Sequence, residues 1–66
     1  MKIVITINIC ESEKEYEGEI SKQRISSFLR NPRTMDVIES IKLGETRMLL
    51  DSSGDVVGSV QAIQND

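Results

Sequence analysis

Sixty-six residues with a net charge of −3 make a chain that buries only a modest core: at this length folding removes about 60% of the surface that the unfolded chain exposes. The absence of His and Trp and the single Cys exclude a disulfide framework, a Cys/His zinc site and any catalytic triad or dyad built on imidazole. No apolar run approaches the roughly 18 residues of a membrane span, and Thr6 and Asn8 interrupt the short apolar stretch where a signal peptide would need continuity. The expectation is one small domain over residues 1–66, cytoplasmic and without membrane contact.

Residues 2–10 place Ile3, Ile5, Ile7 and Ile9 on one parity. Strict alternation of β-branched residues reads as a strand whose Ile side faces a core. The next stretch is two-sided. Ser12 and Glu15 fit the capping box of a helix start, but Glu11, Glu13, Glu15, Glu17 and Glu19 occupy every odd position. On a helix those charges would spread around the cylinder, and on a strand they line one face. A second strand over 14–20 is expected, forming a hairpin with Ile7 opposite Tyr16, Ile5 opposite Gly18 and Ile3 opposite Ile20.

Ser21 is placed to cap a helix over 22–30, with Ile20, Ile25, Phe28 and Leu29 on its apolar arc and Arg24 reaching out from the flank of that arc. Asn31-Pro32 breaks the chain. Thr34 then caps a second helix over 35–43, with Met35, Val37, Ile38 and Ile41 sharing a face and Gly44 as its stop. Two strands, 46–51 and 55–63, flank Ser52-Ser53-Gly54, a hairpin turn with Gly54 where positive φ is required. A three-residue loop pairs Leu50 with Val56, Leu49 with Val57 and Met48 with Gly58. The expected class is α+β in the order ββααββ, a mostly antiparallel sheet with two short helices on one face.

Charge is distributed in blocks: residues 11–19 carry −4, residues 20–35 carry +4 and residues 36–66 carry −4. Lys22, Ser26 and Arg30 recur every four residues on the first expected helix, and Arg33 follows just beyond. Such a column of donors suits an acidic partner or, as an alternative, phosphate oxygens of nucleic acid. No aromatic residues are interleaved for base stacking, and the sequence pI of about 4.8 opposes non-specific polyanion binding. In the C-terminal hairpin the even positions Met48, Leu50, Val56, Val60 and Ala62 are assigned to the core. Leu49, Val57 and Ile63 then lie on the uncovered side of the sheet as a candidate contact surface for a homodimer.

Asp51–Asp55 resembles the start of a calcium loop but lacks the terminal Glu, so a tight turn is the better account and no metal is expected. Reactive thiols need cationic surroundings, and Cys10 is followed by Glu11 and Glu13; a structural Cys is expected. The carboxylates lie on exposed strand positions, with no pocket to tune them for acid–base work. The functional expectation is therefore a non-enzymatic interaction protein without cofactor. It would be a small regulator or inhibitor occupying the surface of a protein partner, of the size and composition common among phage and mobile-element inhibitors and adaptors.

Overall fold

The computed structural model describes residues 1–12, 14 and 16–65. The chain is α+β, as expected, and runs through strands, a helical pair and a final hairpin. The strands are β1 (Lys2–Ile7), β2 (Ile9–Cys10), β3 (Ile20–Ser21), β4 (Thr46–Leu50) and β5 (Val56–Ile63), and the helices are α1 (Ile25–Arg30) and α2 (Pro32–Ser40). β5 is the centre of a three-stranded antiparallel sheet in the order β1-β5-β4.

The partner of β1 differs from the expected one. Its register is Ile3 with Ala62, Ile5 with Val60 and Ile7 with Gly58, so β5 takes the place assigned to residues 14–20. The exchange gains apolar contact at the middle of the strand, where Ile5 meets Val60 instead of Gly18, and it leaves Ile20 free to enter the core, where it is 1% exposed. Among the described residues of the expected second strand, only Ile20 is extended with a partner, in β3, which pairs in parallel with β2. Tyr16 is 65% exposed and Glu17-Gly18 form a turn. Glu13 and Glu15, and with them the capping box, lie outside the described residues. Asn8 hands the chain from one sheet to the other. Its N–H donates to Val57 O at 2.7 Å, and its carbonyl accepts from Ile20 N at 2.9 Å.

The C-terminal hairpin forms around the expected turn, and Gly54 has φ +88. Leu50 pairs with Val56 as expected, but a bulge lies between Leu49 and Leu50, beyond which Leu49 pairs with Gly58 and Met48 with Ser59. Val57 is the extra residue. A bulge puts two residues of one strand opposite one of the other and so changes which parity points inward. The consequence is a correction to the expected faces. Leu49 and Val57 are core residues at 1% and 0% exposure, whereas Met48, Leu50 and Val56 are about half exposed at 55%, 51% and 48%. Val60 and Ala62 are buried as expected, and Ile63 stays on the outer face, half-buried and paired with Lys2. A surface contact through Leu49 and Val57 is therefore ruled out by their burial.

Gly58 sits where both ladders meet, opposite Ile7 on one side and Leu49 on the other. A Cβ at this position would run into the carbonyl oxygen of Thr6, so only glycine allows β1 and β5 to approach here.

The helices form a layer over the inner face. The expected helix over 22–30 is split into a 3-10 turn at Lys22–Arg24 and α1, and Ser21 makes no side-chain capping bond. α2 begins three residues earlier than expected. Pro32 occupies its first position, and Asn31 is the cap, its side chain accepting from Arg33 N at 2.9 Å. Thr34, expected as the cap, is buried inside the helix instead. α2 ends at Ser40 because Ile41 is extended, with ψ 141. The core joins Ile20, Ile41, Leu49, Val57, Val60 and Ala62, with Ile7, Ile25, Phe28, Val37 and Ile38 packed against it.

Coverage of the sheet is uneven. α2 packs on β4, and Arg47, on the inner face opposite Val60, donates to Ser40 Oγ at 3.0 Å. β1 packs on β5, and its inward Ile3 and Ile5 remain 36% and 40% exposed. The radius of gyration is 12.3 Å and the extents are 39 × 23 × 18 Å; a compact chain of this length has a radius near 11 Å. The molecule is elongated, and its helices cover one part of the sheet. Among the described residues no helix is long and apolar enough to cross a membrane.

Candidate interaction groove

The junction of the two helices determines what faces the hairpin turn. Asn31 N–H donates to Phe28 O at 3.2 Å, closing α1, and Asn31 then turns extended at ψ 131 before capping α2. This corner brings Arg24, Ser27, Phe28 and Asn31, spaced as one helical face, together with Arg33 above the turn between β4 and β5. The turn itself is held closed. Asp51 Oδ1 accepts from Ser53 N and from Asp55 N, both at 2.9 Å, while Asp51 N–H donates to Asp55 O at 3.0 Å. The Asp51–Asp55 segment is thus a turn stabilised by its own amides.

Between the helix corner and the turn lies a cleft of about 380 Å³, lined by Arg24, Ser27, Phe28, Asn31, Arg33, Leu50, Asp51 and Ser52. A second hollow of about 350 Å³ adjoins it, sharing Arg33, Leu50, Asp51 and Ser52, and continues between Thr34 and Val37 of α2 and Met48–Leu50 of β4. Together they form one groove along the β4 edge. Its apolar lining residues are Phe28, Val37, Leu49 and the half-exposed Met48 and Leu50, and the cleft at the helix corner is mainly polar. One end carries two guanidinium groups.

The backbone of β4 contributes as well. Ala62 N–H donates to Glu45 O at 3.0 Å while Glu45 N–H donates to Lys42 O, which fixes the alternation of the ladder: Glu45 turns its carbonyl toward β5, and Arg47 and Leu49 turn both N–H and C=O toward it. Thr46 and Met48 therefore direct N–H and C=O to the open side. This is the geometry that accepts an added strand beside a helix.

Of the four basic-column residues, the structure brings one into the groove. Arg33 lines it, while Lys22, Ser26 and Arg30 are exposed elsewhere. The column itself is broken, because a 3-10 turn advances 120° per residue and sets Lys22 about 60° further round from Ser26 than a continuous α-helix would. Arg24 and Asn31 are not singled out by the sequence as binding residues. The spacing of 24, 27, 28 and 31 was visible there, but the position of the hairpin turn beneath that face was not.

Cys10 is buried, and its Sγ donates to Lys14 O at 2.8 Å and lies 3.3 Å from Ser12 O. Among the described residues no group of acidic, Cys or His side chains is arranged to hold a metal ion. No protein-family model, no curated protein and no solved structure matches this chain.

Proposed function

We propose that this chain is a non-enzymatic interaction protein, a small regulator or inhibitor that binds an extended acidic segment of a protein partner in the α2–β4 groove. The observation that carries the reading is the placement of Arg24 and Arg33 at the polar end of a channel that becomes more apolar between α2 and β4 and whose open side offers the β4 edge. A strand-like segment would lie along Thr46 and Met48, set apolar side chains against Met48, Leu50 and Val37, and direct a carboxylate to the guanidinium of Arg33. Arg suits that last role because its planar fork matches carboxylate geometry. Catalysis is not favoured by the residue types. The groove's carboxylate, Asp51, already has Oδ1 engaged by two turn amides, and the chain has no His. Nucleic-acid binding through Lys22, Ser26, Arg30 and Arg33 is the alternative, and the divergence of these side chains weighs against it.

A nuclear magnetic resonance titration separates the two. Ten-residue peptides pairing Asp or Glu with Leu or Val should shift resonances of Phe28, Arg33, Val37, Met48 and Leu50. The double variant Arg24→Glu, Arg33→Glu should lose that response, and Lys22→Glu, Arg30→Glu should keep it. A 20-base-pair duplex at about 50 mM salt, where phosphate contacts are strongest, should cause no shift. Shifts at Lys22, Ser26 and Arg30 with the duplex alone would transfer the function to nucleic acid.

A further inference from the structure

We infer that the free edge of β1 is a second, separate interaction surface, and that its occupant is β1 of another copy of this chain, joined antiparallel about a two-fold axis. The inference begins with the direction of the β1 amides. Asn8 N–H donates to Val57 O, and the register continues as Thr6 with Ser59, Val4 with Gln61 and Lys2 with Ile63. Antiparallel ladders bond alternate pairs, so the even residues of β1 serve β5. Ile3, Ile5 and Ile7 direct N–H and C=O away from it. β1 is an outermost strand of its sheet, and β3 does not cover this side. Ile20 N–H donates to Asn8 O at the end where β5 begins.

This edge lacks the usual safeguards. Natural edge strands discourage pairing with charge, proline, bulges or a covering element. β1 contains no proline, pairs with β5 without a register shift, and has one charged residue, Lys2, at its end. β4, the opposite edge, has both a bulge and a packed helix.

The sequence of β1 also fits its own copy. Because the outward amides belong to odd residues, bonded pairs across the axis must be odd with odd. Centring the axis on Ile5 uses all three: Ile5 meets the partner's Ile5, and Ile3 meets the partner's Ile7. About six hydrogen bonds result, two for each bonded pair. Val4 then faces the partner's Thr6 and Lys2 faces the partner's Asn8, so no like charges are opposed. Lys2 of each copy arrives at the strand end from which the other's acidic stretch departs, and residues 11–19 carry −4. On the inner face the half-covered Ile3 and Ile5 join those of the partner in one apolar stripe, with a continuous sheet ordered β4-β5-β1-β1-β5-β4. Edge pairing of six-residue strands falls near or below about 1,200 Å², the range of weak complexes. The expected dimer dissociates at tens of micromolar.

The test combines mass with backbone protection. Sedimentation of the wild type should move from monomer to dimer between about 5 and 500 µM. Over that range the amides of Ile3, Ile5 and Ile7 should gain exchange protection while Thr46 and Met48 do not. Ile5→Lys and Ile5→Glu should each be monomeric, since each sets like charges against its own copy, and mixing them should restore a dimer. Val56→Asp, on the outer face, should leave dimerisation unchanged. A wild type still monomeric at 500 µM overturns the inference. So does a dimer that protects the β4 amides instead, one lost with Val56→Asp, or one that survives in folded Ile5→Lys alone. Peptide binding in the groove is measured separately on monomeric protein, so either surface can fail without the other.

Discussion

β1 and β4 flank the same central strand, yet they are opposite kinds of edge. β4 departs from regular pairing at Leu49/Leu50 and has α2 beside it, so its open amides sit in a groove with a helical wall and a charged end. β1 runs in unbroken register along β5, and its inward Ile3 and Ile5 are only partly covered. The helical layer explains the asymmetry. Two helices of six and nine residues cannot roof three strands, and the corner at Asn31-Pro32 directs them over β4 and β5. A small domain thus leaves one edge lined and one bare, and the two suit different occupants.

The strongest way to break that comparison is at the residue common to both ladders. Gly58→Ala sets a methyl group against the Thr6 carbonyl, a backbone atom that cannot swing aside. Overpacking typically costs about 1–3 kcal/mol and occasionally more, and a clash with backbone this close falls at the upper end, comparable with the roughly 3–5 kcal/mol a core this small supplies, so circular dichroism should show a largely unfolded chain. The next effect sharpens the inward assignment of β4. Leu49→Ala should lower stability by about 2–5 kcal/mol in urea denaturation, as buried leucines do. Leu50→Ala, half exposed, should cost less than about 1 kcal/mol. Equal losses would mean that the bulge does not sort these neighbours.

Smaller still is the helix corner. Asn31→Ala removes the cap of α2 and should cost about 1 kcal/mol. Because Asn31 also lines the cleft, acidic peptides should bind this variant more weakly than the wild type. Least affected of all should be the fold of Lys22→Glu, Arg30→Glu. Exposed charges contribute about 0–1 kcal/mol each, and the melting curve should overlay that of the wild type within a few degrees.

Much of this fold can be read from local pattern. The isoleucine alternation marks β1, Gly54 marks the hairpin turn, and Asn31-Pro32 marks the helix junction. Partner choice is less legible. Whether Ile5 meets Val60 or Gly18 depends on competition between segments far apart in the chain, and the acidic alternation of residues 11–19 imitates a strand without the apolar surface to hold one. The inward face of the hairpin is illegible for a different reason. One extra residue, Val57, reverses the parity; Gly58 beside it is of a type that often marks a bulge, but it does not say which residue is the extra one. The groove inherits both difficulties. Arg33 is recognisable as basic and exposed, but its company of Arg24, Ser27 and Leu50 depends on where the helix corner meets a hairpin whose register includes the bulge.

That register is the most direct test of the central claim, that β5 with its bulge at Val57 sets both the core and the two edges. Residues opposite one another without mutual hydrogen bonds bring their Cα atoms to about 4.5 Å, close enough for strong Hα–Hα contacts in nuclear Overhauser spectra. The expected pattern is Met48 with Ser59 and Thr46 with Gln61 across β4 and β5, and Ile5 with Val60 across β1 and β5. Contacts of Met48 with Gly58, or of Leu49 with Val57, would show an uninterrupted hairpin with the opposite face inward, and would contradict the core, the groove and the free edge together.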